Sequence, residues 1–342
     1  MDIQYLDKLI NRTVGKSNIA GAVLNVSSSD DSLDMTASAG NFQDDSKYYI
    51  ASINKIFMSA LILKFTTEGK VKLEDKFADY VSDDVIDKLH MINGTDYSSE
   101  ITLRHMISQT SGLPDYIEDK LENGHVTMKD LEAGLDPAWP VDKVIGEIKK
   151  MKPHFPPGEY GKAKYIDTNH QLLELVVEKV TGMPNNQVLN NLFQELGMSE
   201  SYVGNDINDK SYVPVRYKEK EISLSRFISS TKNEIISTAR DQMKFIKAFF
   251  KGHFLPKDKL KELERWNKVF FPFEYGIGIE KFSMPRALTL FKKMPDMIGH
   301  AGSVGSVAFY VPEKSIYFTG TINQQAKPSA IYQIMLKVLS KL

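Results

Sequence analysis

A serine hydroxyl becomes a useful nucleophile only when a base takes its proton, and this chain sets such a pair three residues apart. Ser52 and Lys55 lie in the string YYIASINKIFMSALIL. On a helix, positions i and i+3 share one face, so the amine can approach the hydroxyl. Lysine works as a base when burial or nearby positive charge lowers its pKa towards neutrality, and the apolar residues flanking Lys55 supply the burial. A helix N-terminus at Ser52 also favours developing negative charge. The spacing is a weak signal alone, because Ser229 and Lys232 repeat it in SSTK.

Other chemistries find less support. The chain has no cysteine, which excludes disulfides, thiolate metal sites and a cysteine nucleophile. Histidines 90, 105, 125, 154, 170 and 253 show no His-x-x-x-His or His-Glu-x-x-His spacing, so no metal site is expected and they read as surface or capping groups. Lys plus Arg number 43 against 44 Asp plus Glu, which leaves no overall field for nucleic acid. The aromatic runs FFKGHF and VFFPFEY have few basic neighbours and read as core or cleft walls. The mixed-sign stretch 257–268 reads as a solvated helix face.

The elements that must position Ser52 and Lys55 can be read from periodicity. Residues 3–14 carry apolar positions at helical spacing before Gly15. Residues 20–26 and 33–39 read as two antiparallel strands joined by Ser27, Ser28, Ser29, Asp30 and Asp31. Residues 52–68 read as a largely buried helix with Ile53, Ile56, Phe57, Ala60, Leu61 and Phe65 on a wide stripe. From about 71 to 214 helical patterns are broken by Gly and Pro. Strands return at 306–311 and 315–321, followed by a helix at 330–339. Strands at both ends imply one shared antiparallel sheet, flanked by the terminal helices, with an all-helical domain inserted. The predicted fold class is α/β of the α+β kind. Residues 1–72 and 215–342 form the discontinuous sheet domain, 73–214 the helical domain, and the catalytic cleft lies between them.

Around Ser52 and Lys55 the string resembles the nucleophile segment of the penicillin-binding protein and class C beta-lactamase superfamily, whereas ISSTKNEI does not. That family carries a Tyr-x-Asn element about a hundred residues on, and Tyr165-Ile166-Asp167 falls there. Its third element, Lys-Thr-Gly or His-x-Gly, is matched by His300-Ala301-Gly302. MISQTSGLPDY at 106–116, FPPGEY at 155–160, ISTARDQMKF at 236–245 and YGIGIE at 275–280 extend the likeness over nearly the whole chain. The resemblance implies the beta-lactamase/transpeptidase-like fold, with Ser52 attacking a carbonyl, Lys55 accepting its proton and Tyr165 shuttling a proton to the leaving group. It implies an oxyanion hole from the backbone N–H groups of Ser52 and Ser303. Tyr116, Asp167, His300 and Gly302 are expected at the substrate, with Gly302 small so that substrate can lie along the strand edge.

Two departures from the family pattern carry consequences. Asp167 replaces an amide by a carboxylate, which accepts only and which raises the Lys55 pKa, moving the base role towards Tyr165. His300 removes a permanent positive charge, so a substrate carboxylate is held less firmly and an ester or amide without one is favoured. Gln109 and the pair Asn233-Glu234 also depart from the pattern and are expected to reshape the pocket.

The expectation is a serine hydrolase acting on a small ester or D-amino-acid-containing peptide, with no metal or organic cofactor. A penicillin-binding D-Ala-D-Ala carboxypeptidase or weak beta-lactamase is one alternative, and a catalytically inactive binding or scaffold protein another. No membrane span is expected, since nowhere do about 18 apolar residues run together. The location expected is cytoplasmic if Met1 is native, and otherwise that of the mature part of an exported protein. The oligomeric state is left open.

Overall fold

The computed structural model describes residues 2–284 and 294–342. Its main sheet has eight antiparallel strands. Two come from the start of the chain, β1 (Gly21–Ser28) and β2 (Asp34–Gly40). Six come from its last third: β3 (Asn267–Phe270), β4 (Phe273–Tyr275), β5 (Glu280–Phe282), β6 (Met297–Gly302), β7 (Ser306–Val311) and β8 (Ile316–Thr321). The spatial order is β3-β4-β5-β6-β7-β8-β1-β2. The two ends of the chain meet where β1 pairs with β8, with Val23 opposite Thr321.

Both faces of this sheet are covered, because side chains alternate across each strand. Ala22, Leu24 and Val26 of β1 face one core with Val307, Phe309 and Phe318, under helices α1 (Ile3–Asn11) and α5 (Ala330–Leu339). Val23, between them, faces the other core, with α2 (Asn54–Thr67) and α4 (Ala239–Lys251). Helix α2 is buried nearly all round, from Asn54 to Phe65, which suits its long apolar run. Among the described residues no helix is long and apolar enough to cross a membrane.

None of the main-sheet strands falls between residues 41 and 266. That stretch supplies helices at Leu103–Ile107, Thr127–Glu132, Val141–Ile148 and Asn185–Glu195, and the long α3 (Asp167–Thr181). A small three-stranded sheet, Tyr48–Tyr49, Ile235–Ser237 and Tyr202–Val203, ties this region to the start of α2.

The structure departs from the periodicity in two places. Ser52 sits not in α2 but in a 3-10 turn, Ala51–Ile53, entered through Ala51 at φ 51°. A left-handed alanine costs roughly 1–2 kcal/mol, and here it turns the chain sharply out of Tyr48–Tyr49 so that Ser52 is presented at the helix entrance. The edge strands β3, β4 and β5 have only three or four residues each, too few to show alternation. Part of the stretch read as a solvated helix is a 3-10 segment, Lys257–Leu263, that leads into β3.

Candidate active site

Ser52 enters the site from the 3-10 turn that leads into α2, Lys55 from the first turn of α2, and Asp167 from the first turn of α3, which packs against α2. Lys55 Nζ donates to Ser52 Oγ at 3.1 Å and to Asp167 Oδ1 at 2.6 Å. Its ammonium lies 5.3 Å from the centre of the Tyr165 ring, and the Tyr165 phenol faces the Ser52 hydroxyl. The second Ser-x-x-Lys match makes no such site: Lys232 is taken up by Glu178 at 2.8 Å.

The electrostatics revise the expectation for the base. Burial pushes the Lys55 ammonium down, but the charge and hydrogen bond of Asp167 push it up by more, so its pKa lies above that of an ordinary lysine. Burial also raises the Tyr165 phenol well above its ordinary value, helped by the charges of Asp167 and Glu280. At neutral pH both groups therefore hold their protons, and among the described residues the acidic side chain paired with Lys55 is Asp167. The ion pair, rather than either free amine or phenolate, is the resting state.

Two more carboxyls line the same cleft. Burial pushes Glu234 up to about 7, against the pull of the Tyr49 hydroxyl that donates to it at 2.7 Å. Burial pushes Glu280 up to about 8, against the pull of the Ala301 amide that donates to it at 2.8 Å. Glu234 belongs to the pair expected to reshape the pocket, whereas Glu280 was not singled out in the sequence as belonging to the site. YGIGIE, which ends at Glu280, was matched only as a landmark.

The strand β6 runs beside the nucleophile turn, and Gly302 explains how closely. A β-carbon built on it would stand 2.2 Å from Ser306 Oγ, 2.6 Å from the Ile50 carbonyl oxygen and 3.1 Å from the Ala51 β-carbon. The glycine is thus required by the contact of β6 with β7 and the nucleophile turn, before any substrate is considered. Ser306 Oγ completes the join by donating to the Ile50 carbonyl at 2.7 Å. The backbone N–H groups of Ser52 and Ser303 flank this join, and among the described residues neither donates to a backbone carbonyl.

One cleft of about 740 Å³ is lined by Ser52, Lys55, Tyr165, Asp167, Gly302 and Ser303. Two residues expected at the substrate do not reach it. Tyr116 is buried against Trp139, with ring centres 5.1 Å apart, and its hydroxyl points to Gln171; its neighbours Ile117 and Glu118 line the cleft instead. The His300 side chain is fully buried and does not line the cleft: its ring lies 6.1 Å from that of Tyr165 and its Nε2 3.2 Å from Tyr275 Oη, while Ala301 faces the cleft. Burial and the Lys55 charge push His300 down to about 3, so it is neutral.

Gln109, expected to reshape the pocket, acts from behind it. Its Oε1 accepts from the Ile166 amide at 2.9 Å and from Asn169 Nδ2 at 2.8 Å, which holds the start of α3 and the flanking Tyr165 and Asp167 in place. The histidine reading also needs correction at two positions. His105 does cap its helix through Thr102, but His90 and His170 are buried, and His170 Nε2 lies 3.3 Å from Ser59 Oγ one turn beyond the Lys55–Asp167 pair. The spacing of Asp167 and His170, three apart on one helix, was the available signal. Among the described residues no cluster of three or more acidic, His or Cys side chains is placed to hold a metal ion.

Comparison with known proteins agrees with this geometry. A penicillin-binding protein of Bacillus subtilis (strain 168), PbpX, is 26% identical over 241 residues, which cover 68% of this chain and 52% of that protein. The chain thus spans about half the length of that relative. A D-stereospecific amidohydrolase from Streptomyces sp. superposes with a TM-score of 0.75 at 23% identity, covering 95% of each chain. EstCE1, a hydrolase with promiscuous acyltransferase activity, superposes with a TM-score of 0.76 at 14% identity, covering 98% of this chain and 97% of that one. At these identities the superpositions establish the fold. The beta-lactamase family model matches residues 6–339, and the chain belongs to the beta-lactamase family.

Proposed function

We propose that this protein is a serine hydrolase that works through an acyl-enzyme on a small ester or a D-amino-acid-containing amide. The observation that carries the reading is the hydrogen-bonded chain from Asp167 through Lys55 to Ser52, with Tyr165 facing the same hydroxyl in one open cleft. The D-stereospecific amidohydrolase and EstCE1, a hydrolase with promiscuous acyltransferase activity, lend support through the shared fold.

Ser52 Oγ adds to the substrate carbonyl carbon while its proton passes to Lys55. Lys55 accepts it because one of its own protons moves along the 2.6 Å hydrogen bond to Asp167, so the pair acts as one base. Sealing the cleft with substrate removes water and favours this neutral pair over the ion pair. The oxyanion is held by the N–H groups of Ser52 and Ser303, each such donor contributing about 3–4 kcal/mol. On collapse, the carbon–leaving atom bond breaks, Tyr165 gives its proton to the leaving atom and recovers one from the pair. Water then adds to the acyl carbon, giving its proton back along the same route, and Ser52 is released with the free acid. The sheet half is assigned to residues 1–72 and 215–342 and the helical half to 73–214, supported by the main-sheet strands falling at 21–40 and 267–321.

The test compares wild type with Ser52→Ala using a fluorophosphonate probe, a fluorescent penicillin and p-nitrophenyl esters. Ser52-dependent labelling and ester turnover are expected, with turnover falling by roughly 10⁶-fold on loss of the nucleophile. Absence of any Ser52-dependent adduct or turnover overturns the proposal in favour of a binding protein.

A further inference from the structure

The cleft extends from Ser52 in two directions. Met128, Leu131, Leu224 and Phe227 wall one arm, beside the charged side chains of Glu118 and Lys164. The other arm passes Phe270 and Phe273 of the edge strands and Phe282 of β5, and reaches Tyr332 and Leu336 on α5. Its floor is built, since Phe282 and Tyr332 stack with ring centres 4.5 Å apart and planes 12° from parallel.

We propose that this second arm receives an apolar leaving group, a straight-chain or aromatic alcohol or amine released as Ser52 is acylated. The inference rests on the hydrolase reading and deepens it. Its direction comes from Tyr165: the group that protonates the leaving atom has its ring edge-on to Phe270, centres 5.7 Å apart, so the proton donor borders this arm. The character of the occupant comes from the lining, which is largely aromatic and aliphatic from Phe270 to Leu336, with Gln325, Ser329 and Gln333 as polar members near Tyr332 and Leu336 and Glu280 at the entrance beside Ala301. At the mouth, Phe270 is 47% and Phe271 72% exposed, unusual for such large apolar side chains and relieved when an apolar chain lies against them. A cleft of about 740 Å³ lies in the range that encloses most of a drug-sized ligand. Acyl transfer leaves the occupant intact: the carbon–oxygen or carbon–nitrogen bond breaks, the leaving atom takes the Tyr165 proton, and the alcohol or amine leaves through the mouth.

The experiment measures kcat/KM for acetate esters of straight-chain alcohols from methanol to octanol, in parallel with p-nitrophenyl esters from acetate to octanoate. In the wild type the alcohol series is expected to rise about fourfold per methylene until the arm is full. Leu336→Trp shortens the arm and should lower the octyl-to-ethyl acetate ratio at least tenfold, while Leu336→Ala should hold or raise it. The alanine variant keeps the test alive if the tryptophan variant does not fold. A flat alcohol series with Ser52-dependent turnover overturns this inference alone, as does a Leu336 effect confined to the acyl series. Absence of Ser52-dependent turnover on any ester overturns the hydrolase reading instead.

Discussion

Replacing Asp167 by Asn keeps the shape of the side chain and removes one negative charge from a point 2.6 Å from Lys55 Nζ. In the wild type, burial lowers the Lys55 pKa and Asp167 more than reverses it. Without the carboxylate, burial prevails and the pKa drops below the ordinary lysine value of about 10.4. A hydrogen bond to a charged group contributes about 1.5–3 kcal/mol, and losing that bond and the charge behind it both act downward on the Lys55 pKa. The assay is the second-order rate of fluorophosphonate labelling of Ser52 between pH 6 and 11. The wild-type pair can accept a proton while zwitterionic, so its rate is expected to be flat from pH 7 to 9. In D167N labelling waits for free amine, giving a single limb that rises with pH and has its midpoint below 10.4. Stability should follow the same sign. The raised Lys55 pKa stabilises the wild type fully below the unfolded-state value, and that contribution is lost only as pH climbs through the higher folded-state value. In D167N the folded-state pKa lies below the unfolded one. Its deficit against wild type is therefore largest near pH 6–7, about 3–5 kcal/mol for a broken buried pair, and narrows as pH rises towards 10.4. A D167N labelling profile that superimposes on that of the wild type, or one whose limb moves to higher pH, refutes the reasoning.

Gly302→Ala drives a methyl group towards Ser306 Oγ and the Ile50 carbonyl, 2.2 and 2.6 Å from the built β-carbon, so β6 must withdraw from the nucleophile turn. A loss of about 1–3 kcal/mol is expected in denaturant or thermal unfolding, with Ser52 labelling slowed even where the protein remains folded; unchanged melting and labelling contradict the packing account. Gln109→Ala leaves the Ile166 amide and the Asn169 side chain without their acceptor in a buried setting. It should lower stability by about 1–3 kcal/mol per orphaned group and slow labelling by loosening Tyr165, and a variant as stable and as reactive as wild type shows that Gln109 does not hold that segment.

Much of the scaffold was legible because its pieces are long enough to show a run or a period. β1, β2, β7 and β8 read as short runs bounded by turn residues and α5 as a helical stripe, and pairing of the two chain ends followed from strands at both. The entrance to α2 was not legible, because nothing in an ordinary alanine announces the φ of 51° that Ala51 adopts. The stretch holding most of β3 and β4 was read as core or cleft walls, and Phe270, Phe271 and Phe273 do line the cleft. Within the site, the effect of Asp167 on Lys55 was readable from charge alone, whereas the directions of Tyr116 and His300 depend on which face of a loop or strand meets the cleft. Glu280 was invisible as a site residue for the same reason, while Glu234 was marked only by its departure from the family pattern: a glutamate becomes part of a catalytic cleft through strand register, and register is long-range information.

The charges in the cleft bear on which carbonyl compounds can enter it. Lys55 is bound to Asp167, Lys164 is held by Asp119 at 2.5 Å, and His300 is neutral and out of reach. Among the described residues that line the cleft, an incoming carboxylate, as on a penicillin or a D-Ala-D-Ala end, therefore meets no free cation, and it meets Glu234 and Glu280 instead. At pH 7 those two glutamates are largely or partly protonated, since burial has pushed them up to about 7 and 8. Binding an anion beside them would push them further towards the neutral acid, whereas binding a neutral ester or amide leaves them undisturbed. The Ala301 amide, on the strand edge facing the cleft, is already occupied by the Glu280 carboxyl. Charge and hydrogen bonding thus act in the same direction, favouring a substrate without a free carboxylate beside the scissile bond, and this is the composition that an apolar leaving group in the Phe270–Leu336 arm requires.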